Sequence, residues 1–374
     1  MSVLTAVMQK FTPTANARRI GHIGLECSLT EIHLVQLEAD STGKISVHAM
    51  ASVPYPCSYD ELFSSPKIMR TLVRKALASD TFHGHRIVST LPSSNLQIMP
   101  VSYHVNKGKS DDEALLALLT ERLDGDLTDY VIDYVRVRTE QHAEEHQAIV
   151  AVAKREFVIS YLEALRKCGL ETMHLEIGPS AIRRLISAMS TQNEHENVLA
   201  INFGRTSSYI TVISGARLLF DQEIRFGEKH LIAKISENLD MPEDSVRELI
   251  KGHSFDPGSI NTTSEPHNLD IDISSALQEI VKPNFLELAE EINRTLIYTA
   301  SQTRGEAVSR IYLLGGIARW RGCDALLNSL VQIDVEIIPN PLQPFEHEPE
   351  TAGTGKPEIA VATGLAMYGM TKHG

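Results

Sequence analysis

Two periodicities run along this chain, and the switches between them mark its elements. Between Asn197 and Gly227 the sequence NVLAINFGRTSSYITVISGARLLFDQEIRFG has the period-two pattern of strands. Val198–Phe203 is a continuous apolar run, Gly204-Arg205-Thr206-Ser207 a turn, and Tyr209–Ile213 a second strand. Ser214-Gly215 makes another turn before a third strand, Leu218–Phe226. Arg19–Val53 repeats the design, with IGHIGLECS, LTEIHLVQLEAD, the turn STG and KISVHAMASV. A shift of 176 positions lays Glu26 on Asn202 and Ser28 on Gly204, which points to an internal duplication of a three-stranded meander. A small-residue turn between two buried strands presents backbone N–H groups and suits a phosphate.

Helical spacing predicts helices over Ser65–Ser79, Asp111–Leu123, Lys154–Lys167, Pro179–Met189, Leu231–Leu239, Pro242–Lys251, Cys323–Leu330 and Ile359–Gly369. Ser110 and the acids after it cap the second of these, and Gly169 stops the third. Ile271–Gln302 reads as one long helix, or as two broken near Pro283. Further strands fall at Arg86–Leu91, Leu96–Tyr103, Tyr130–Arg138, Gln147–Ala153, Thr172–Ile177, Ile311–Leu314 and Val335–Ile338. Segment 91–172 has a rhythm of its own and is expected to be an inserted α+β subdomain. Gly178 and Ala181, and likewise Ala360, Ala362, Gly364 and Ala366, are small residues spaced for close helix packing. The order describes two meander-plus-helix halves, an α/β architecture with a cleft between them.

Composition narrows the function classes. With 374 residues, 43% of them hydrophobic and 22% charged, the chain has material for two or more cores. A net charge of −13 opposes nucleic-acid binding, which needs a basic footprint. Four cysteines without C-x-x-C spacing favour a reducing compartment, and the 15 histidines show no metal-ligand spacing. No apolar run reaches the length of a membrane span, and no signal peptide opens the chain. Val3, Leu4, Val7, Met8 and Phe11 share one helical face, which serves either as a foot on a membrane or partner, or as a helix packed on the body or a frayed terminus.

Six stretches carry a family likeness: IGHIGLECSLTEIHLVQL, LPSSNLQIMPV, FVISYLEALRKCGLETMHLEIGPSAIRRL, VLAINFGRTSSYITVISGARLLFDQEIRFGEKHL, IYLLGGIARWRGCDALL and IAVATGLAMYG. In this order they resemble the actin-like, sugar-kinase and heat-shock-ATPase superfamily. Within it they resemble the PilM family of type IV pilus assembly proteins, related to the division protein FtsA. The resemblance implies an actin-like fold of ribonuclease-H-like duplicated halves, with an inserted α+β subdomain and a small helix-rich subdomain in the second half. It divides the chain into an N-terminal segment (1–18), a first half (19–90 and 173–195), the insertion (91–172), a second half (196–229 and 306–374) and the small subdomain (230–305).

The same resemblance implies ATP and Mg as ligands. The first phosphate loop maps onto Glu26, Cys27, Ser28, Leu29 and Thr30, with His33 on the following strand. The second maps onto Asn202, Gly204, Thr206 and Ser207. The adenosine-side motif maps onto Gly315, Gly316 and Ile317, with Arg319 just beyond, and Lys251 is a ribose-side candidate together with Arg247 and Glu248. Departures from the pattern are informative. Family aspartates that face magnesium are replaced by Glu26, the one metal candidate, and by the uncharged Asn202, while Ser28 replaces a glycine. Losing a metal-facing carboxylate costs about a thousandfold in rate, so hydrolysis is expected to be very slow or absent. The glycines are also what tight turns require without any nucleotide, and hydroxyls such as those of Thr206 and Ser207 commonly cap turns.

The partners implied are the cytoplasmic N-terminal segment of PilN, gripped beside the inserted subdomain, the inner-membrane pilus complex, the pilus motor ATPases and a further copy of the chain. The location implied is cytoplasmic, peripheral at the inner membrane. Alternatives are an active ATP-dependent phosphotransferase, an FtsA-like membrane-linked filament protein, and the cytoplasmic part of a GspL-like secretion protein.

Overall fold

The computed structural model describes residues 18–28, 30–57, 59–92, 95–105, 110–137, 145–189, 196–215, 217–256, 268–303, 305–345 and 356–370. The apolar face at residues 3–11 and the loop residue Leu29 lie outside these.

The first unit runs β1 (Arg19–Ile20), β2 (Ile23–Cys27), β3 (Glu31–Ala39), β4 (Ile45–Pro54), α1 (Tyr59–Ser64), α2 (Pro66–Ala78) and β5 (Arg86–Thr90). The chain then makes β6 (Gln97–His104), α3 (Asp111–Arg122), β7 (Tyr130–Val137), β8 (Glu145–Lys154) and α4 (Arg155–Lys167) before β9 (Glu171–Glu176) and α5 (Gly178–Met189). Next come β10 (Asn197–Phe203), β11 (Ser208–Ser214), β12 (Arg217–Ile224), α6 (Glu228–Leu239), α7 (Glu243–Gly252) and α8 (Asn268–Gln302). The chain closes with β13 (Val308–Gly315), α9 (Cys323–Asn328), β14 (Asp334–Ile337) and α10 (Ala360–Tyr368).

The two large sheets share one plan. In the first, β4-β3-β2-β5-β9 lie side by side, with β1 also on β3; in the second, the order is β12-β11-β10-β13-β14. The shift that aligns the sequences also maps the pairings. Gly24 opposes Val35 as Ala200 opposes Thr211, and Glu26 opposes His33 as Asn202 opposes Tyr209. The parallel partners follow suit, with Ile23 beside Ile87 and Leu199 beside Ile311. Even the bulges correspond, falling between Gln36 and Leu37 and between Val212 and Ile213. A bulge shared at one register position sets the same local bend in both sheets.

Burial explains the layers. In β10, Leu199, Ile201 and Phe203 face one core while Val198 and Ala200 face another, so the strand reads as an unbroken apolar run. Outer helices α6 to α9 cover one face of the second sheet, and α1, α2 and α4 cover the far face of the first. Helices α5 and α10 fill the layer between, where Ala181, Ile182 and Leu185 meet Ala360, Val361 and Leu365. Small residues make this contact possible: a Cβ on Gly364 would lie 2.1 Å from the Ala181 carbonyl oxygen, and one on Gly24 would lie 2.2 Å from that of Ala362.

The insertion is a three-stranded antiparallel sheet, β6-β8-β7, under α3. Ser110 and Glu113 form a reciprocal capping box at the start of that helix, as the sequence there predicts. Helix α8 passes through Pro283 without ending. Proline removes one helical hydrogen bond, but Val281, Phe285, Leu288 and Ile292 are buried around it, and that packing holds the turn.

Candidate functional site

A cleft opens at the carboxyl ends of the parallel strands of both sheets, the place where α/β sheets characteristically bind ligands. It is lined on one side by Glu26, Cys27, Ser28, Thr30, Glu31 and His33, and on the other by Asn202, Phe203, Gly204, Arg205, Gly315, Gly316 and Arg319. The two duplicated hairpin turns thus face each other. Arg319 crosses the gap to Glu31, with 3.4 Å between guanidinium and carboxylate.

Strand alternation decides where Glu26 points. Ile23, Leu25 and Cys27 enter the core on the α2 side, which turns Gly24 and Glu26 toward α10. The Glu26 carboxylate accepts a hydrogen bond from the Ala362 backbone N–H in the first turn of that helix. Its Oε2 is sealed from water without a hydrogen-bond partner among the described residues, and so is Oε2 of Glu358, a cleft residue just before α10. Burial, reinforced by the charge of Glu358 and opposed by the Ala362 hydrogen bond, pushes the Glu26 carboxyl up to about 8.

His33 is buried, with Nδ1 2.9 Å from Ser52 Oγ. Desolvation, helped by Arg319, lowers it to about 3, so it is neutral across the physiological range. The cleft therefore has less positive charge on its first hairpin than a half-titrated histidine would supply.

The turns satisfy their own donors. Ser28 N–H and Ser28 Oγ both donate to the Glu31 carbonyl, at 3.0 and 2.9 Å, and Glu31 N–H returns to Ser28 Oγ. Gly204 N–H donates to Ser208 Oγ at 3.3 Å, and Ser208 in turn donates to the Phe226 carbonyl. Ser208 closes the second turn, a role for which the sequence suggests Thr206 or Ser207; Thr206 is exposed, and neither residue lines the cleft. Gly316 N–H donates to the Phe203 carbonyl at 3.3 Å. Gly315, at φ +81°, brings the end of β13 so near that a Cβ would lie 2.3 Å from that same oxygen.

Two further candidates lie away from the cleft. Ile317 is fully buried in the core of the second sheet. Lys251 is exposed on α7 and paired with Glu248 at 2.6 Å, because Val246 and Ile250 turn the opposite face of that helix into the core. Arg247 reaches back to Glu228, a cleft residue.

Magnesium requires charged oxygens in a tight octahedral set. Here one candidate ligand is a carboxyl that keeps its proton near neutral pH, and the other is an amide. Among the described residues no group of three or more His, Cys, Asp or Glu could hold a metal ion. The donor set does not fit a tightly bound magnesium.

The cleft also has an apolar arm. Leu91, Pro92, Leu96 and Ile98 on the lead-in to the inserted sheet face Pro179 and Ile182 at the start of α5. LPSSNLQIMPV contains the first four of these, but only the fold brings α5 against them. No helix among the described residues is long and apolar enough to cross a membrane.

Comparison with solved structures agrees with this architecture. The chain is similar to a protein solved in the PilM-PilN type IV pilus biogenesis complex, with TM-score 0.75 and 21% identity over 94% of this chain and 99% of that one. It is also similar to the ethanolamine utilization protein EutJ from Carboxydothermus hydrogenoformans, with TM-score 0.52 and 12% identity over 93% and 89% of the two chains. These likenesses establish the actin-like fold. The family described as type IV pilus assembly protein PilM matches residues 24–370, and the chain belongs to that family.

Proposed function

We propose that this protein is an assembly scaffold that grips a short extended segment of a membrane-anchored partner, PilN or its equivalent, in the apolar arm of the cleft. The observation that carries the reading is the juxtaposition of Leu91, Leu96 and Ile98 with Pro179 and Ile182 beside the open end of the hairpin turns. An extended peptide with alternating apolar side chains gains affinity in such a groove by desolvating them. The similarity to a protein solved in a PilM-PilN complex supports PilN as the partner.

In this reading the polar end of the cleft holds a nucleotide weakly and does not turn it over at an appreciable rate. Phosphoryl transfer depends on placed charge, and here Glu26 is neutral, Asn202 is an amide, and the Ser28, Gly204 and Gly316 N–H groups are engaged within the protein. Pilus motor ATPases and self-association remain partners to be sought on the assembled complex.

The test is calorimetry with a synthetic PilN N-terminal peptide, with and without magnesium-ATP. Peptide binding that persists without ATP and is lost in Ile98→Asp supports the scaffold. No affinity for the peptide, or ATP turnover on the order of one per second, overturns it.

A further inference from the structure

We infer that the outer face formed by α2 and the end of α4 is a docking surface for an anionic lipid bilayer. Helix α2, PKIMRTLVRKALA, carries Lys67, Arg70, Arg74 and Lys75 and no acidic residue. Its apolar positions Met69, Leu72, Val73 and Ala76 are buried against the first sheet, so all four cations stand exposed on one stripe. Arg166 and Lys167 in the last turn of α4 extend the stripe, because Arg70 Nε donates to the Lys167 carbonyl at 3.0 Å. The Arg70 and Arg74 charges also reach Cys168.

Among the described residues, Glu163 on Lys167 is the one carboxylate paired with this group; Lys67, Arg70, Arg74, Lys75 and Arg166 form no ion pair. Helix stability explains part of the pattern but not the rest. Cations at the end of α4 complement its dipole. Lys67 lies in the first turn of α2, where a cation is unfavourable and where no acid offsets it.

The surroundings point to a bilayer rather than a peptide. The two helices lie side by side as the outer layer of the first sheet, and neither they nor their side chains border the cleft. Long basic side chains on a convex helical surface suit a plane of lipid phosphates. Ile159, 52% exposed two turns before Arg166, adds an exposed apolar side chain on α4. On a chain of net charge −13, a local group of six cations also orients the molecule, since the rest of the surface is repelled by the same lipids.

The experiment is vesicle co-sedimentation of the full chain. Vesicles of phosphatidylcholine with about one third phosphatidylglycerol are compared with phosphatidylcholine alone, at near-physiological salt and at ~1 M, where screening shortens to about 3 Å. Binding is expected only to the anionic vesicles at the lower salt. The triple substitution Lys67→Glu, Arg74→Glu, Lys75→Glu is expected to weaken it by more than about a hundredfold, at roughly fivefold or more for each charge. A control with Lys234→Glu and Lys282→Glu, exposed on the outer helices of the second sheet, is expected to bind like wild type. Thermal melts check that each variant is folded.

Absence of binding to anionic vesicles overturns the proposal, as does an equal loss in the control, which would make net charge the cause. Capture of poly-glutamate without capture of vesicles overturns it in favour of an acidic protein partner. The inference is independent of the peptide groove: the triple variant keeps its affinity for the PilN peptide if both readings hold.

Discussion

Helix α10 is wedged between β2 and α5 with no room for one more carbon atom, and the substitution Gly364→Ala measures that wedge. The added Cβ would lie 2.1 Å from the Ala181 carbonyl oxygen and 2.6 Å from its carbon. Ordinary van der Waals contact begins at 3.4 Å, so the overlap exceeds an ångström. Both partners are backbone, and no rotamer change relieves it. Nor can α10 retreat toward the first sheet, because Gly24 already brings β2 against Ala362 and Ala366. Overpacking of this kind costs about 1–3 kcal/mol and sometimes more, while the better helix propensity of alanine returns up to about 1 kcal/mol. Over the unfolding entropy of a 374-residue chain, about 0.8 kcal/mol/K, a net loss of about 2 kcal/mol corresponds to a melting midpoint lower by about 2–3 °C. Gly178→Ala is the matched control, since nothing lies within 4 Å of its added Cβ. Its midpoint should stay put or rise slightly. Thermal melts by circular dichroism decide the matter: a Gly364→Ala protein that melts with wild type, or a Gly178→Ala protein that falls as far, refutes the packing argument.

Other expectations concern charge and the site. Glu26, held protonated in the fold up to about pH 8 but ionising near 4.5 when unfolded, makes stability fall as pH rises through that window. Asp221, fully buried and raised to about 7 by desolvation, acts in the same sense. His33, lowered to about 3 by burial, acts oppositely, removing stability as pH falls below about 6.5. Between pH 6.5 and 8 the carboxyls therefore dominate, and Glu26→Gln should flatten most of the decline in melting midpoint across that range; an unchanged slope would show that Glu26 ionises normally. Tyr161→Phe removes a buried hydroxyl bonded to Ser89 Oγ at 2.9 Å and to the Thr90 carbonyl at 3.1 Å, and should cost about 1–2 kcal/mol in urea titration. Arg319→Ala deletes the ion pair across the cleft, but with the arginine 41% exposed the change should stay below about 1 kcal/mol by the same method.

Much of the architecture is legible in the sequence. Period-two and helical spacing located most elements within about three residues, though not the short helix α1, and the match of Glu26 with Asn202 reappears as identical strand register in the two sheets. The small residues of α10 announced a close contact, although nothing local named β2 and α5 as its partners. Pro283 shows the limit of a local rule, because burial on the second sheet overrides the break it would otherwise cause.

The candidate site was legible only in outline. Spacing identified the two turns and the glycines at the end of β13, because tight turns and close backbone approach demand particular residues wherever they occur. It did not show that Ser208 rather than Thr206 closes the second turn, that Lys251 faces solvent, or that Glu358 comes beside Glu26. Glu358 is over three hundred positions from Glu26 and carries no periodic signature.

What the sequence determined by itself is therefore what short-range physics controls: the elements, the duplication, the turn chemistry and the loss of a charge at Asn202. What only the tertiary structure decided is the state of the groups it encloses. Glu26 keeps its proton, His33 stays neutral and the apolar arm beside α5 exists because distant segments remove water from them, and desolvation depends on everything that surrounds a group rather than on its neighbours along the chain.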